Sequence, residues 1–194
     1  MEANYDDWRI WALKKGIAEH VIAFIRYRPE ALDEATAATK DETGKHQKRL
    51  MNANAFATPR SWEFVSDLLK AGFAQGRKLR ECYALIEGTI GEGMASEFVS
   101  YCDIYLELQD IDEIIADPTS FIPTNNPNKL YAICTGLAAR ANGENFGNIK
   151  AITDMLDREY AAWTIDDCLN KNRDEISIHP AYISWVHKNI EYAA

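Results

Sequence analysis

The sequence contains no run of apolar residues approaching the roughly 20 that a membrane-spanning helix needs. Its first residues, Met1-Glu2-Ala3-Asn4-Tyr5-Asp6-Asp7, hold neither the basic nor the apolar region of a secretory signal. Both absences lead us to expect a cytoplasmic protein with no membrane contact. Cysteine is sparse: Cys82, Cys102, Cys134 and Cys168 stand far apart, with no CxxC and no Cys/His ligand spacing. That pattern argues against a disulfide framework and against a bound metal. Three of the four fall in apolar helical settings and read as reduced, buried small hydrophobes. The alternating apolar/polar pattern of a half-buried strand is missing along the whole chain, as is any fixed repeat that would mark a solenoid.

An excess of basic charge is missing as well. The net charge is −9, unevenly distributed. Residues 1–58 hold nine Lys/Arg against nine Asp/Glu, residues 59–91 hold five against four, and residues 92–194 hold seven against seventeen. The C-terminal half would repel a phosphate backbone, so nucleic acid is not an expected partner. Phosphate chemistry, if present, belongs to the first half. At 194 residues, with 47% hydrophobic and 26% charged residues, the chain can bury a substantial core without staples.

What is present is helical periodicity. Residues 4–15 carry Trp8 and Trp11 and end at Gly16. A second helix follows, with Ile17, Val21, Phe24, Ile25 and Arg28 at steps of three and four, and stops at Pro29. Residues 30–55 are polar, alanine-rich and without steady period, and read as a long exposed loop with room for a short helix. Further helical rhythms run through Leu79, Tyr83, Ile86 and Ile90, then Met94, Phe98, Tyr101, Tyr105 and Leu108, and then a short acidic segment from Asp110 to Ala116. Pro118 to Pro127, with three prolines and an Asn-Asn pair, reads as a loop or linker. Beyond it Leu130, Ile133, Cys134, Leu137 and Ala138 mark a helix. Ile149, Ile152, Leu156, Tyr160 and Trp163 read as one long helix, and residues 181–192 as a last one with Tyr182, Trp185 and Val186 inward. The expected fold is all-α, an irregular bundle of about eight helices. Residues 1–117 form its first part, with the loop at 30–55, and 118–194 a C-terminal extension packed on it.

The stretch with the sharpest local signature is Phe56-Ala57-Thr58-Pro59-Arg60-Ser61-Trp62. Thr58 suits an N-cap, because its hydroxyl can accept an orphan backbone N–H of the first turn. Pro59 suits the first helical position, where its missing N–H costs nothing. Arg60 then lies in the first turn, ahead of the apolar stripe Trp62, Val65, Leu68 and Leu69. A cation there opposes the helix dipole, and a helix N-terminus with a guanidinium makes a competent phosphate site.

Thr58-Pro59-Arg60-Ser61-Trp62 resembles the sensor-2 motif in the C-terminal lid of MoxR-type AAA+ ATPases of phage and bacterial type. The flanking segments GIAEHVIAFIRYRPEAL (16–32), FATPRSWEFVSDLL (56–69) and IEGTIGEGMASEFVSY (86–101) are similar to the surroundings of that motif, and the resemblance spans roughly residues 5–120. It implies that Arg60 reaches the γ-phosphate of bound ATP and couples hydrolysis to lid movement, with Thr58, Pro59, Ser61 and Trp62 as supporting residues. It also implies ATP and Mg in the complete ATPase, with partners in an AAA+ core, fused or separate, in neighbouring subunits and in a protein client.

One departure is definite. A P-loop needs G-x-x-x-x-G-K-[ST], and Gly88-x-x-Gly91-x-Gly93 is followed by Met94-Ala95. No acidic strand end of Walker B type is present either. The chain looks like a lid without its ATPase core, with no catalytic residue and no cofactor of its own, and it is not expected to hydrolyse ATP alone.

Other residues have plainer readings. Arg60 without the resemblance is a surface arginine, and Trp62 is a core anchor before it is a base-stacking residue. Arg77-Lys78-x-Arg80 reads as a solvated helix start rather than a second phosphate patch, and Lys45-His46-Gln47-Lys48-Arg49 as an exposed loop. His20, His46, His179 and His187 share no ligand spacing. The adjacent pairs Asp6-Asp7, Asp112-Glu113 and Asp166-Asp167 point apart on a helix, and Ser61 has no base beside it. The six carboxylates from Asp103 to Asp117 read as a solvated face, with docking of a basic partner as the rival. The competing reading of the whole chain is a stand-alone helical protein-interaction module with no nucleotide role.

Overall fold

The computed structural model describes residues 4–39 and 53–189. The described residues are all-α, with twelve α-helices, short 3₁₀ turns and no strand. In chain order the helices are α1 (Tyr5–Lys15), α2 (Glu19–Tyr27), α3 (Glu34–Thr39), α4 (Pro59–Ala74), α5 (Tyr83–Ile90), α6 (Glu92–Cys102), α7 (Ile111–Ala116), α8 (Pro127–Arg140), α9 (Phe146–Thr153), α10 (Arg158–Lys171), α11 (Arg173–Ile176) and α12 (Pro180–Lys188). No helix among the described residues is long and apolar enough to cross a membrane. The chain forms two compact units, Met1–Ala12 with Ile17–Leu106, and Leu13–Gly16 with Glu107–Ala194.

The first unit is built around α2. Val21, Ile22, Ala23, Phe24 and Ile25 are five consecutive buried residues. A helical turn takes about 3.6 residues, so a run of that length means neighbours on every side of the helix. Phe24 is the largest side chain of that run. Its ring centroid is 5.5 Å from that of Trp62 on α4 and 5.4 Å from that of Phe98 on α6, and the Trp62 and Phe98 rings are 5.4 Å apart. All three side chains are almost fully inaccessible. The three rings meet in tilted and edge-on arrangements, which aromatic quadrupoles prefer to face-to-face contact.

Helix α4 buries Trp62, Val65, Ser66, Leu69 and Gly72, one stripe at helical spacing. Its far end comes close to the turn that follows. A Cβ built on Gly72 would lie 2.7 Å from the Cys82 sulfur, so any larger residue there would have to displace that buried side chain. Gly91 divides α5 from α6 with φ +83, and a Cβ on it would lie 2.5 Å from the carbonyl oxygen of Ala55. Conformation and space both demand glycine at that position.

The second unit repeats the principle around α8, in which residues 132–138 are buried without interruption. Helix α10 packs against it and buries Thr164, Ile165, Asp167 and Cys168. Hydrogen bonds join α7 and its flanks to this unit. Asn148 Nδ2 donates to the Ile115 carbonyl at 2.9 Å, and Gln109 bonds to the backbone of Ser120 and Ile122. The second unit thus takes in α7 and the prolines near 118, with the chain passing into it after Leu106.

Three expectations change. Residues 30–39 are not exposed loop: Pro29–Leu32 form a 3₁₀ turn and 34–39 a helix, with Ala31, Leu32, Glu34 and Ala38 buried. Their partners are distant in sequence, which a local pattern does not reveal. Residues 40–52 of that stretch, including the Lys45–Arg49 cluster, lie outside the described residues. The long helix through Ile149 and Trp163 is two helices, α9 and α10. Thr153 bonds back to the Lys150 carbonyl at 2.8 Å, and Asp157 adopts the extended backbone of an N-cap residue. The last helix stops at Lys188. Trp185 is its buried residue, and Tyr182 and Val186 are only half-buried.

Removing the Trp62 ring empties the centre of the first unit. Trp62→Ala is expected to cost about 3–5 kcal/mol, read as a lower midpoint in urea unfolding. Trp62→Phe, which keeps an aromatic ring, should lose less.

Candidate functional site

The backbone ahead of α4 is fixed before the helix begins. Glu34, only 4% exposed, accepts a hydrogen bond from the Ala57 amide at 2.8 Å, while its own amide donates to the Ala57 carbonyl at 3.0 Å. Two reciprocal bonds thus hold residue 57 against α3. Ala57 and Trp62, at N′ and N4 of the helix, are both fully buried, the positions of a hydrophobic staple.

Thr58 then caps the helix. Its hydroxyl oxygen accepts from the Ser61 amide at 3.1 Å, and the Ser61 hydroxyl accepts from the Thr58 amide at 2.7 Å. This is a capping box with serine in the place usually held by Glu or Gln. The Ser61 hydroxyl also lies 3.0 Å from the Thr58 carbonyl oxygen. Ser61 is thereby engaged in the cap, and a nucleophilic role has no base to support it. Pro59 occupies the first helical position. Trp62 donates from Nε1 to the Ala31 carbonyl at 2.8 Å, so its one polar atom is satisfied within the core.

Arg60 stands between these anchored residues. It is exposed and makes no ion pair or hydrogen bond among the described residues. The first turn of α4 has no acidic residue to offset the charge. Its backbone is therefore held on both sides while its guanidinium is free to engage an external group. A planar guanidinium offers paired N–H donors that match phosphate oxygens.

The remainder of a nucleotide site is not built around it. A groove of about 1050 Å³ in the same unit runs beside residues 53–55 and 87–94, and Arg60 does not line it. Among the described residues its charged lining is Glu34, Glu87 and Glu92, all acidic. Gly88 in α5, Gly91 between the helices and Gly93 in α6 lie along this groove, and no lysine is among its described lining residues.

The remaining chemistry-bearing residues are occupied structurally. All four cysteines are buried, and none is in a disulfide. Burial raises the Cys102 thiol well above its ordinary value, helped by the neighbouring Asp103, and burial likewise raises Cys168, helped by Cys134. Neither supplies a thiolate at neutral pH. His20 stacks on Tyr105, and His179 caps α12 by accepting from the Ala181 amide at 3.1 Å. Among the described residues no three His, Cys, Asp or Glu side chains gather as metal ligands.

Within the acidic stretch, Asp103 pairs with Arg80, Glu107 with Lys129 at 2.9 Å and Asp112 with Arg140 at 2.9 Å. Asp110 and Asp117 cap the turns that follow them. Five of the six carboxylates are thus engaged internally, which leaves little for a basic partner. Arg80 is also accounted for by that pairing.

Glu34 is the residue of this site that local sequence pattern missed. It looks like an ordinary acidic residue in a first helical turn, and its partner lies 23 residues away. The geometry defines the chain as an all-α protein presenting a rigidly mounted, unpartnered arginine at a helix N-terminus. No family model, no curated protein and no solved structure matches it.

Glu34→Ala leaves the buried Ala57 amide without its acceptor, at an expected cost of about 1–3 kcal/mol, and Thr58→Ala loses the cap for about 1 kcal/mol. Faster amide exchange at Ala57 in the first variant and at Ser61 in the second would report the local loosening.

Proposed function

We propose that the chain is the helical lid and C-terminal region of a MoxR-like AAA+ ATPase, with Arg60 as its nucleotide-sensing residue. The observation that carries this reading is the mounting of Arg60. A capping box, a buried tryptophan and the Glu34 clamp immobilise the backbone on either side of a cation that is itself exposed and unpaired. ATP and Mg are held by a separate P-loop core. From the lid, the guanidinium donates to γ-phosphate oxygens and offsets charge that develops during phosphoryl transfer. Hydrolysis removes that contact, so the lid's position depends on the state of the nucleotide. The remaining helices meet neighbouring subunits or a client.

The motif resemblance supports the identity of the core, and the acidity of the neighbouring groove supports the division of labour, since this chain does not itself cradle the triphosphate. In the assembly with its ATPase core, Arg60→Ala should lower ATP turnover at least about tenfold, roughly 1.4 kcal/mol in the barrier, with helix content unchanged. Turnover equal to that of the unaltered assembly would remove the sensing role and favour a helical interaction module. The isolated chain should show no saturable ATP binding in the micromolar range, measured by calorimetric titration.

A further inference from the structure

Asn142-Gly143 is the one Asn-Gly pair in the sequence. In such a pair the glycine nitrogen can attack the preceding side-chain carbonyl, because no Cβ hinders its approach. A bond forms between the Gly143 nitrogen and Asn142 Cγ, the Cγ–Nδ2 bond breaks, and ammonia leaves with the hydrogen of the Gly143 amide. Water then opens the cyclic imide at either carbonyl. The products are aspartate and isoaspartate, and the glycine nitrogen regains its hydrogen. Water is the only co-reactant.

The fold holds both reacting groups in competing bonds. The Gly143 amide donates to Glu175 Oε2 on α11 at 2.6 Å. Asn142 Oδ1 accepts from the amides of Glu144 and Asn145 at 2.9 and 3.0 Å. The Asn142 amide donates to Asn145 Oδ1 at 2.9 Å, and the Asn142 carbonyl accepts from the Phe146 amide at 3.0 Å. Asn142 therefore caps the turn that leads into α9. Ring closure would break this set. It would also take from Glu175 Oε2 one of its two donors among the described residues, the other being Asn172 Nδ2 at 2.8 Å. Loss of a donor is costly for a charged acceptor. A Cβ at 143 would lie 3.2 Å from Glu175 Oε2 and 3.3 Å from Glu175 Cβ. The small residue that lets α11 come this close is also the one that makes the bond to Asn142 labile.

We propose that Asn142 is a latent deamidation site, kept shut by Glu175 and unlocked when α11 lifts away. Helix α11 has four residues, of which Ile176 alone is buried, so it belongs to the parts of a fold that open below the cost of global unfolding. A chain that opens there acquires a permanent covalent mark. The two products act differently on α9. Aspartate keeps a capping oxygen and places negative charge at a helix start, which is favourable. Isoaspartate inserts a methylene into the backbone and displaces the cap from the amides of Glu144 and Asn145. This inference is independent of the role of Arg60, which lies in the other unit.

The test incubates the full chain in mildly alkaline buffer and follows aspartate and isoaspartate at residue 142 by peptide mass spectrometry. The folded chain should convert at least about a hundredfold more slowly than the same chain in urea. Glu175→Ala should convert roughly tenfold faster than the unaltered folded chain. Glu175→Gln, which keeps an acceptor oxygen, should fall between the two. Arg173→Ala, an exposed change on the same helix, should keep the unaltered rate. Asn142→Ser keeps a capping hydroxyl and should give no product at that position. The proposal is overturned if the folded chain converts as fast as the chain in urea. It is also overturned if a folded Glu175→Ala keeps the unaltered rate, or if Arg173→Ala accelerates conversion equally. Should Glu175→Ala fail to fold, the unaltered chain in low urea decides. Conversion should then rise with Gly143 amide exchange ahead of global unfolding, and conversion that rises only with global unfolding overturns the proposal.

Discussion

The contact of Phe24, Trp62 and Phe98 is the constraint on which the first unit depends. Three aromatic rings from α2, α4 and α6 meet with centroids about 5.5 Å apart, and none can shift without opening a void between the other two. Trp62 adds a directional bond, because its indole nitrogen must reach a carbonyl once the ring is buried, and that of Ala31 is the partner. The bond fixes the turn after α2 relative to α4. That turn leads into α3, which carries Glu34, and Glu34 in turn holds the backbone one residue before Thr58. Core packing is thereby transmitted to the start of α4 through two hydrogen bonds and one buried side chain.

This arrangement explains how an exposed arginine can have a defined origin. Side chains as long as arginine lose entropy when they bind, and the loss is smaller when the backbone beneath them is already rigid. At Arg60 the capping box, Pro59 and the buried Trp62 remove the local freedom in advance. What remains is the side chain's own torsions, suited to reaching a group that another molecule supplies.

Charge is arranged by proximity more than by composition. The acidic stretch from Asp103 to Asp117 looks like a free anionic face in one dimension. In three dimensions it consists of caps and ion pairs formed within each unit, each exposed pair contributing about 0–1 kcal/mol. Pairwise distances, not segment totals, decide what a surface attracts.

Several features were legible in the sequence because they depend on neighbours within one or two turns. They include the all-α class, the end of α1 at Gly16, the stop of α2 before Pro29, and the Thr58-Pro59 start of α4. Capping, proline geometry and a 3.6-residue period act over that range. The structured state of residues 30–39 was not legible, because it rests on Trp62 and on Ala57, some 30 and 23 residues away. The break between α9 and α10 was hidden by apolar residues that kept helical spacing across it, while Thr153 and Asp157 set the local backbone. The first-turn position of Arg60 could be read from sequence alone, since it follows from the Thr58 cap and Pro59. Its fixed mounting through Glu34 was decided only by tertiary structure, because it joins elements that the chain itself keeps apart.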